Sequence, residues 1–258
     1  MTSKVKSGLL THMALGVLLA VCASSATAAW NFASGAVWSG KGTDTKAVAT
    51  DNGVTATATA FSTNRTSFPS GTSFAKAQLG NNPGFGLGVY SGTDSGSPQH
   101  AVDNSGNTDM ILFQFSSAVT LESVMLGWVQ GDADFSVLRY DGTPGAPDAP
   151  TFTSGNLNYA GWSLVTNVNT STKGDKTFDA GEKTSSWWLI SAFNIGFGGE
   201  KNSASTSTKD YFKLASLTGS VVTPSNPPGQ VPEPGSLALM GLALAGVMAM
   251  RRRSPLAR

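Results

Sequence analysis

Oxygen-bearing side chains are densely clustered in the segment "HAVDNSGNTD", which runs from His100 to Asp109. Its Asp and Asn residues, together with backbone carbonyls, are the hard oxygen ligands that calcium prefers. The pattern lacks the order of an EF-hand loop and its final Glu. The alternative is a turn in which these side chains hydrogen-bond to their own backbone. The candidate calcium ligands are Asp103, Asn104, Asn107 and Asp109.

A second, smaller acidic pair follows at Asp132 and Asp134. Residues at alternate positions point to the same side of an extended strand, so these two carboxylates would lie together if the chain is extended there. The pattern favours an exposed surface turn over a second site.

The sequence offers little for catalysis. His100 is the only histidine after His12, so a Ser-His-Asp triad beyond the N-terminal region would depend on it. There is no G-x-S-x-G motif, and the only cysteine is Cys22. Two carboxylates can form a glycosidase site, but no spacing here selects a pair. No catalytic residue is assigned, and the protein is expected not to be an enzyme.

Adjacent tryptophans at positions 187 and 188 are the candidates for contact with a glycan, because aromatic faces stack on the apolar faces of sugar rings. Neighbouring residues of a strand point to opposite faces. One of Trp187 and Trp188 is therefore expected in the core and the other at the surface. The same rule predicts that the stretch "TATATA", residues 55–60, places its threonines on one face and its alanines on the other.

The elements that must position these residues are short β-strands. Apolar runs bounded by Gly, Asn, Asp, Ser and Pro recur along the chain, and no sustained helical period interrupts them. The runs include "GVTATATAF", "FGLGVY", "MILFQF", "SVMLGW", "DFSVLRY", "WSLVTNV", "WWLISAF" and "YFKLASLTGSVV". They predict an all-β fold, a jelly-roll-like β-sandwich over residues 29–222.

The N-terminal 28 residues have the pattern of a secretory signal peptide. A basic start precedes a mostly apolar stretch from Leu9 to Ala20, and Ala26 and Ala28 form a small-x-small cleavage site. Cys22 would be removed with this segment. The exported protein would then have no cysteine and could form no disulfide.

The C-terminal region predicts a membrane anchor. Residues 223–231 form a Pro-rich linker, and Gly235–Met250 is a stretch of 16 uncharged residues. A helix of that length spans roughly 24 Å, which suits a short transmembrane helix. Three basic residues follow and would stay in the cytoplasm under the positive-inside rule. They are Arg251, Arg252 and Arg253.

The tail resembles the PEP-CTERM sorting signal. The resemblance rests on a Pro-Glu-Pro motif, a short apolar helix and an arginine cluster at the very C-terminus, and it places the signal at residues 232–258. The motif residues are Val231, Pro232, Glu233 and Pro234. The resemblance implies recognition by an exosortase, a membrane protease or transpeptidase of Gram-negative bacteria that make exopolysaccharide. It also implies transient anchoring, followed by transfer to the cell surface or the medium.

The region upstream is similar to the exosortase-dependent surface proteins of the XDP1-like family. The similarity rests on four segments in order: "HAVDNSGNTDMILFQFSSAVTLESVMLGW", "DADFSVLRY", "SSWWLISAFN" and "DYFKLASLTG". It implies a β-fold and the same destination, and it implies no particular chemistry.

Charge excludes one class of partner. Residues 29–230 carry 11 basic and 15 acidic side chains, a net charge of −4, which disfavours nucleic-acid binding. The expected function is that of a non-enzymatic surface or extracellular-matrix protein associated with exopolysaccharide and biofilm. The alternatives are a secreted carbohydrate-active enzyme and a periplasmic protein that stays anchored in the membrane.

Overall fold

The computed structural model describes residues 25–63, 74–91, 94, 98, 100–142, 147, 151–153, 156–158, 161–198 and 209–222. The Pro-rich linker, the apolar segment 235–250 and the sorting signal lie outside these residues, as does most of the predicted signal peptide. Among the residues described, no helix is long and apolar enough to cross a membrane.

The described part of the chain is almost entirely β-strand, which confirms the predicted all-β class. Two short 3-10 helices, Gly42–Asp44 and Ile195–Phe197, interrupt it. The strands are β1 (Ser25–Asn31), β2 (Val37–Ser39), β3 (Lys46–Asp51), β4 (Val54–Ser62), β5 (Ala75–Asn82), β6 (Gly86–Tyr90), β7 (Val102–Asp103), β8 (Asp109–Val129), β9 (Phe135–Tyr140), β10 (Thr151–Thr153), β11 (Asn156–Asn158), β12 (Trp162–Val168), β13 (Gly174–Thr177), β14 (Ser185–Ala192) and β15 (Tyr211–Val222).

The 21-residue strand β8 organises the fold, because it is hydrogen-bonded along both edges. Its first half pairs with β4 on one edge and with β14 on the other, so that Phe113 lies between Ala58 and Trp188. Its second half pairs with β15 and β13. Register shifts in the β8–β15 ladder mark bulges, which increase the local twist.

These pairings close the sheet on itself. Strands β8, β15, β6, β5 and β4 are joined in that order, and β4 pairs back with β8. The jelly-roll-like sandwich predicted from the sequence calls for two packed sheets, whereas the described strands give a closed ring of five. The reason is the length of β8, which pairs with β4 at one end and with β15 at the other.

The larger hydrophobic core lies on the alanine face of β4 and is rich in aromatic side chains, and a smaller cluster that includes Leu112 and Leu189 lies on the opposite face. Trp30 and Phe115 meet edge to face, with ring centroids 4.7 Å apart, and Trp30 Nε1 donates to the Val54 carbonyl at 2.8 Å. In β4 the alanines at positions 56, 58 and 60 are buried and the threonines are half-buried, which confirms the predicted alternation. Small alanines there leave room for the large rings.

The first strand contains the predicted signal-peptide cleavage site. Residues 25–31 pair antiparallel with β15, and both Ala28 and Trp30 are fully buried. A cut after Ala28 would remove the first four residues of β1 and leave Trp30 in the core. The boundary of the signal peptide stays a prediction.

Candidate metal centre

The segment singled out in the sequence is held between two ladders. At one end Asp103, the last residue of β7, pairs with Tyr211 of β15. At the other end Asp109, the first residue of β8, pairs with Ser62 of β4. Between them Gly106 has φ +92°, a left-handed conformation that favours glycine. The turn therefore brings the ends of two strands, and the carboxylates on them, close together.

Asp103 and Asp109 form what we call the β7–β8 pair. Each side chain is only 1% exposed. Asp103 Oδ1 accepts a 2.7 Å hydrogen bond from the Ser105 backbone N–H. Within the described residues, Asp103 Oδ2 and both carboxylate oxygens of Asp109 have no hydrogen-bond partner. Buried acceptors of this kind are rare in folded proteins, because they lose water without gaining a donor.

Electrostatics at this pair disfavour the charged carboxylates. Burial raises the pKa of Asp103 to about 8, the Asp94 carboxylate adds to the rise, and the Ser105 backbone and Lys209 oppose it. Burial, followed by the charge of Asp103, raises the pKa of Asp109 well above its usual range, and the nearby Ser62 hydroxyl and Asp103 backbone N–H oppose the rise only in part. The pair therefore needs either protons or a cation to remain buried.

The two predicted amide ligands lie in different surroundings. Asn107 is buried, and its Nδ2 donates to Ser91 Oγ. Asn104 is directed away from the β7–β8 pair: its Nδ2 donates to the Phe193 carbonyl at 2.9 Å and to Asp210 Oδ2 at 2.5 Å. The four residues predicted as one ligand set are thus divided between two acidic clusters.

The second of these, the Asp210 cluster, consists of Asp132, Asp134 and Asp210. Each offers a carboxylate oxygen within 4.8 Å of one from each of the others. The surface turn predicted for the Asp132–Asp134 pair is wrong, because Asp134 is buried and Asp132 is half-buried. A parallel β-bridge joins Asp132 to Asp210, so the segment that contains Asp132 and Asp134 lies against the start of β15.

Backbone donors hold the Asp210 cluster together. The Asp134 N–H donates to Asp210 Oδ1 at 2.9 Å, and the Thr170 N–H donates to Asp134 Oδ1 at 2.7 Å. Asn104 closes the arrangement, since its Oδ1 accepts from the Asp210 N–H at 2.8 Å. Asp210 was missed from the sequence. The only feature of the sequence that points to Asp210 is its position directly before the last apolar run.

A cleft on the outer face of the sheet contains one of the two candidate tryptophans. Thr57, Gln114 and Trp187 lie side by side across strands β4, β8 and β14. They line a cleft of about 240 Å³ together with Thr59, Phe61 and Lys76. An aromatic face flanked by hydroxyl, amide and ammonium groups is suited to a sugar ring.

Trp188 is not available for such a contact. Its side chain is 0% exposed, its Nε1 donates to the Ser185 carbonyl at 3.1 Å, and it packs in the core. The predicted glycan contact is therefore corrected to Trp187 alone, since adjacent residues point to opposite faces of β14. The His100 ring packs against Tyr90 in a tilted arrangement, with ring centroids 4.2 Å apart.

Comparison with known proteins bears on the C-terminal region. Residues 230–253 match the PEP-CTERM protein-sorting motif. The chain carries an exosortase sorting motif. That motif implies export in a Gram-negative bacterium and sorting to the cell envelope or surface, with an exosortase as the processing partner. No curated protein and no solved structure matches the chain. The XDP1-like resemblance of the upstream region stays a prediction.

Proposed function

We propose that this PEP-CTERM protein is a non-enzymatic component of the cell surface or extracellular matrix, delivered there by an exosortase and associated with the exopolysaccharide of its own cell. The sorting motif at residues 230–253 carries the proposal. The signal peptide over residues 1–28 sends the β domain across the inner membrane. The helix at residues 235–250 anchors it until the motif is processed, and the arginines at 251–253 remain in the cytoplasm.

The termini of the native protein test this delivery. After cell fractionation, mass spectrometry is expected to find an N-terminus near Ala29 and a C-terminus near Pro234, in the surface or medium fraction. Replacing Pro232, Glu233 and Pro234 with alanine should leave the tail intact and the protein in the inner membrane. Replacing Pro227 and Pro228 in the same linker is the matched control and should leave sorting unchanged. An intact tail in the wild-type protein would instead indicate a permanently anchored periplasmic protein.

Association with exopolysaccharide is assigned to the outer-face cleft. Trp187 is half-buried there, and its packing against a hydrophobic cluster that includes Leu112 holds it in place. Gln114 and Lys76 are exposed beside it and supply hydrogen-bond donors. This combination of stacking and polar contact supports a glycan ligand, and it requires no catalytic group.

A pull-down on polysaccharide from the host tests the cleft. The mature wild-type protein is expected to be retained, and Trp187→Ala is expected to reduce retention at least about tenfold, the effect of losing roughly 1.4 kcal/mol of contact. Trp128→Ala is the matched control, because Trp128 is also half-buried and does not line the cleft. Absence of wild-type retention would overturn the glycan association. Release of reducing ends would show a carbohydrate-active enzyme instead.

A further inference from the structure

We propose that the β7–β8 pair, Asp103 and Asp109, binds a calcium ion. The proposal is independent of sorting and of glycan binding, and neither of those functions requires a metal.

The first step is the count of oxygens that the protein leaves without a donor. Three of the four carboxylate oxygens of the pair are buried with no hydrogen-bond partner among the described residues. An unsatisfied buried polar group costs about 1–3 kcal/mol, and a charged one costs more. A cation bound by these oxygens would remove that cost, whereas a hydrogen-bonded turn would already have removed it.

The second step is the charge of the surroundings. Asp94 lies near enough for its carboxylate to act on both members of the pair. Its own oxygens accept from the Ser91 backbone N–H at 2.7 Å and from Ser91 Oγ at 2.8 Å, so it is fixed in place. Lys209 is exposed, and its effect on Asp103 is the weakest of those acting there. When the pair is deprotonated, its carboxylates and that of Asp94 together carry negative charge, which suits a divalent cation.

The third step is the choice of ion. The available donors are carboxylate oxygens, with hydroxyls and carbonyls nearby, and calcium prefers such oxygen ligands. Zinc in proteins uses mainly sulfur and nitrogen ligands. The His100 ring packs against Tyr90, and the chain downstream of Cys22 has no cysteine. Calcium also accepts irregular coordination more readily than magnesium does, so water and neutral oxygens can complete its shell.

Binding there would brace the turn at residues 103–109 against the strands on either side. Asp103 is paired with β15 and Asp109 with β4, so one ion would link two parts of the closed ring. A protein that matures without cysteine has no disulfide to do this.

The test uses the mature protein, freed of metal with EGTA and then titrated with calcium chloride. Isothermal titration calorimetry is expected to give one calcium per chain, and the melting temperature is expected to rise as calcium is added. Asp103→Asn and Asp109→Asn should each weaken calcium binding at least about tenfold. Even residues that only support a metal ligand contribute about tenfold or more to metal affinity, so loss of a direct ligand should cost at least as much. Asp175→Asn is the control, because Asp175 is exposed on β13. It should leave the affinity unchanged.

Variants of the Asp210 cluster decide whether the site has been placed correctly. Asp132→Asn is expected to keep calcium binding within about twofold of the wild type, since Asp132 lies in the other cluster. If calcium binding is lost in Asp132→Asn and kept in both β7–β8 variants, the proposal is wrong and the ion lies in the Asp210 cluster. Absence of any calcium effect on the wild-type melting temperature would also overturn it. If Asp109→Asn does not fold, Asp103→Asn carries the test alone.

Discussion

The β7–β8 pair and the Asp210 cluster both contain buried aspartates, and their hydrogen-bonding surroundings are opposite. In the Asp210 cluster, backbone N–H groups of Asp134 and Thr170 donate to carboxylate oxygens. In the β7–β8 pair, both oxygens of Asp109 lack a donor among the described residues. One set of carboxylates therefore fastens loops to strands, and the other keeps oxygens that are left for a proton or a cation.

This difference shows that crowding of carboxylates is a poor guide to a binding site. The Asp210 cluster is the more crowded, with oxygens of its three side chains within 4.8 Å of one another. At least one oxygen of each of its three carboxylates nevertheless accepts a hydrogen bond from the fold. The better guide is whether oxygens remain for a ligand once the hydrogen bonds have been assigned. The following predictions test that distinction.

The largest expected effect is that of Asp210→Ala, because it removes acceptors from one buried and one half-buried donor. The Asp134 N–H would lose its partner, and Asn104 Nδ2 would keep only the Phe193 carbonyl. At about 1–3 kcal/mol for each donor, the free energy of unfolding should fall by roughly 3 kcal/mol. Urea unfolding measures it, with the exposed Asp175→Ala as control and expected within about 0.5 kcal/mol of wild type. A loss no larger than the control's would mean that the cluster does not hold the loops.

The β7–β8 pair should make the calcium-free protein less stable as the pH rises. An ordinary carboxylate paired with a cation has the opposite effect on the free energy of unfolding. Burial raises the pKa of Asp103 to about 8, the Asp94 carboxylate adds to the rise, and the Ser105 backbone N–H and Lys209 oppose it. Between about pH 4 and pH 8 the folded state then binds more protons than the unfolded state. The contribution of Asp103 to the stability of the folded state is full below about pH 4 and is lost as the pH rises through about 8.

Unfolding in urea with EGTA, from pH 5 to pH 8, measures this slope. The double variant Asp103→Asn/Asp109→Asn should flatten it, since asparagine does not titrate. Stability that instead rises across this range to the same degree in wild type and double variant would contradict the assignment of the slope to the pair.

The effect of Asp109→Asn on the free energy of unfolding should be opposite in the absence and in the presence of calcium. In EGTA at pH 8 the variant removes a buried carboxylate beside Asp103 and should raise the free energy of unfolding by about 1–2 kcal/mol. In saturating calcium it removes a ligand and should lower that free energy relative to wild type. Equal effects in the two buffers would count against a bound ion.

The sequence predicted the parts of this arrangement that depend on local spacing. The period of two along a strand placed the threonines of β4 and separated Trp187 from Trp188. The density of Asp and Asn between His100 and Asp109 directed attention to the turn that contains the β7–β8 pair. Local spacing did not reveal that Asn104 bonds Asp210, because the two residues are 106 positions apart. The closed ring was missed for the same reason, since it depends on the long-range register of β4 on β8.

The smallest expected effect concerns a third carboxylate, Asp141, which has a cation for a partner. Arg139 Nε donates to its Oδ1 at 2.6 Å and Nη2 donates to its Oδ2 at 3.1 Å. The hydrogen bonds from Arg139 lower the pKa of Asp141. The stability that this shift contributes is present above about pH 4 and is lost as the pH falls through the lowered value. The slope is thus opposite to that of the β7–β8 pair.

Asp141→Asn should cost about 1 kcal/mol at pH 7, because Asp141 is 38% exposed and water screens the pair, while the Arg139 side chain is only 5% exposed. Arg139 would keep its bond to the Ala180 carbonyl at 3.3 Å and its position over the Trp188 ring, so the loss stays small. Urea unfolding at pH 7 and pH 3 measures it, and the difference from wild type should shrink at pH 3. The contribution of Asp141, whose cation is Arg139 of the same chain, would then weaken in acid. The contribution of the β7–β8 pair would strengthen in acid in the calcium-free protein. This difference is expected if the cation of the β7–β8 pair comes from solution.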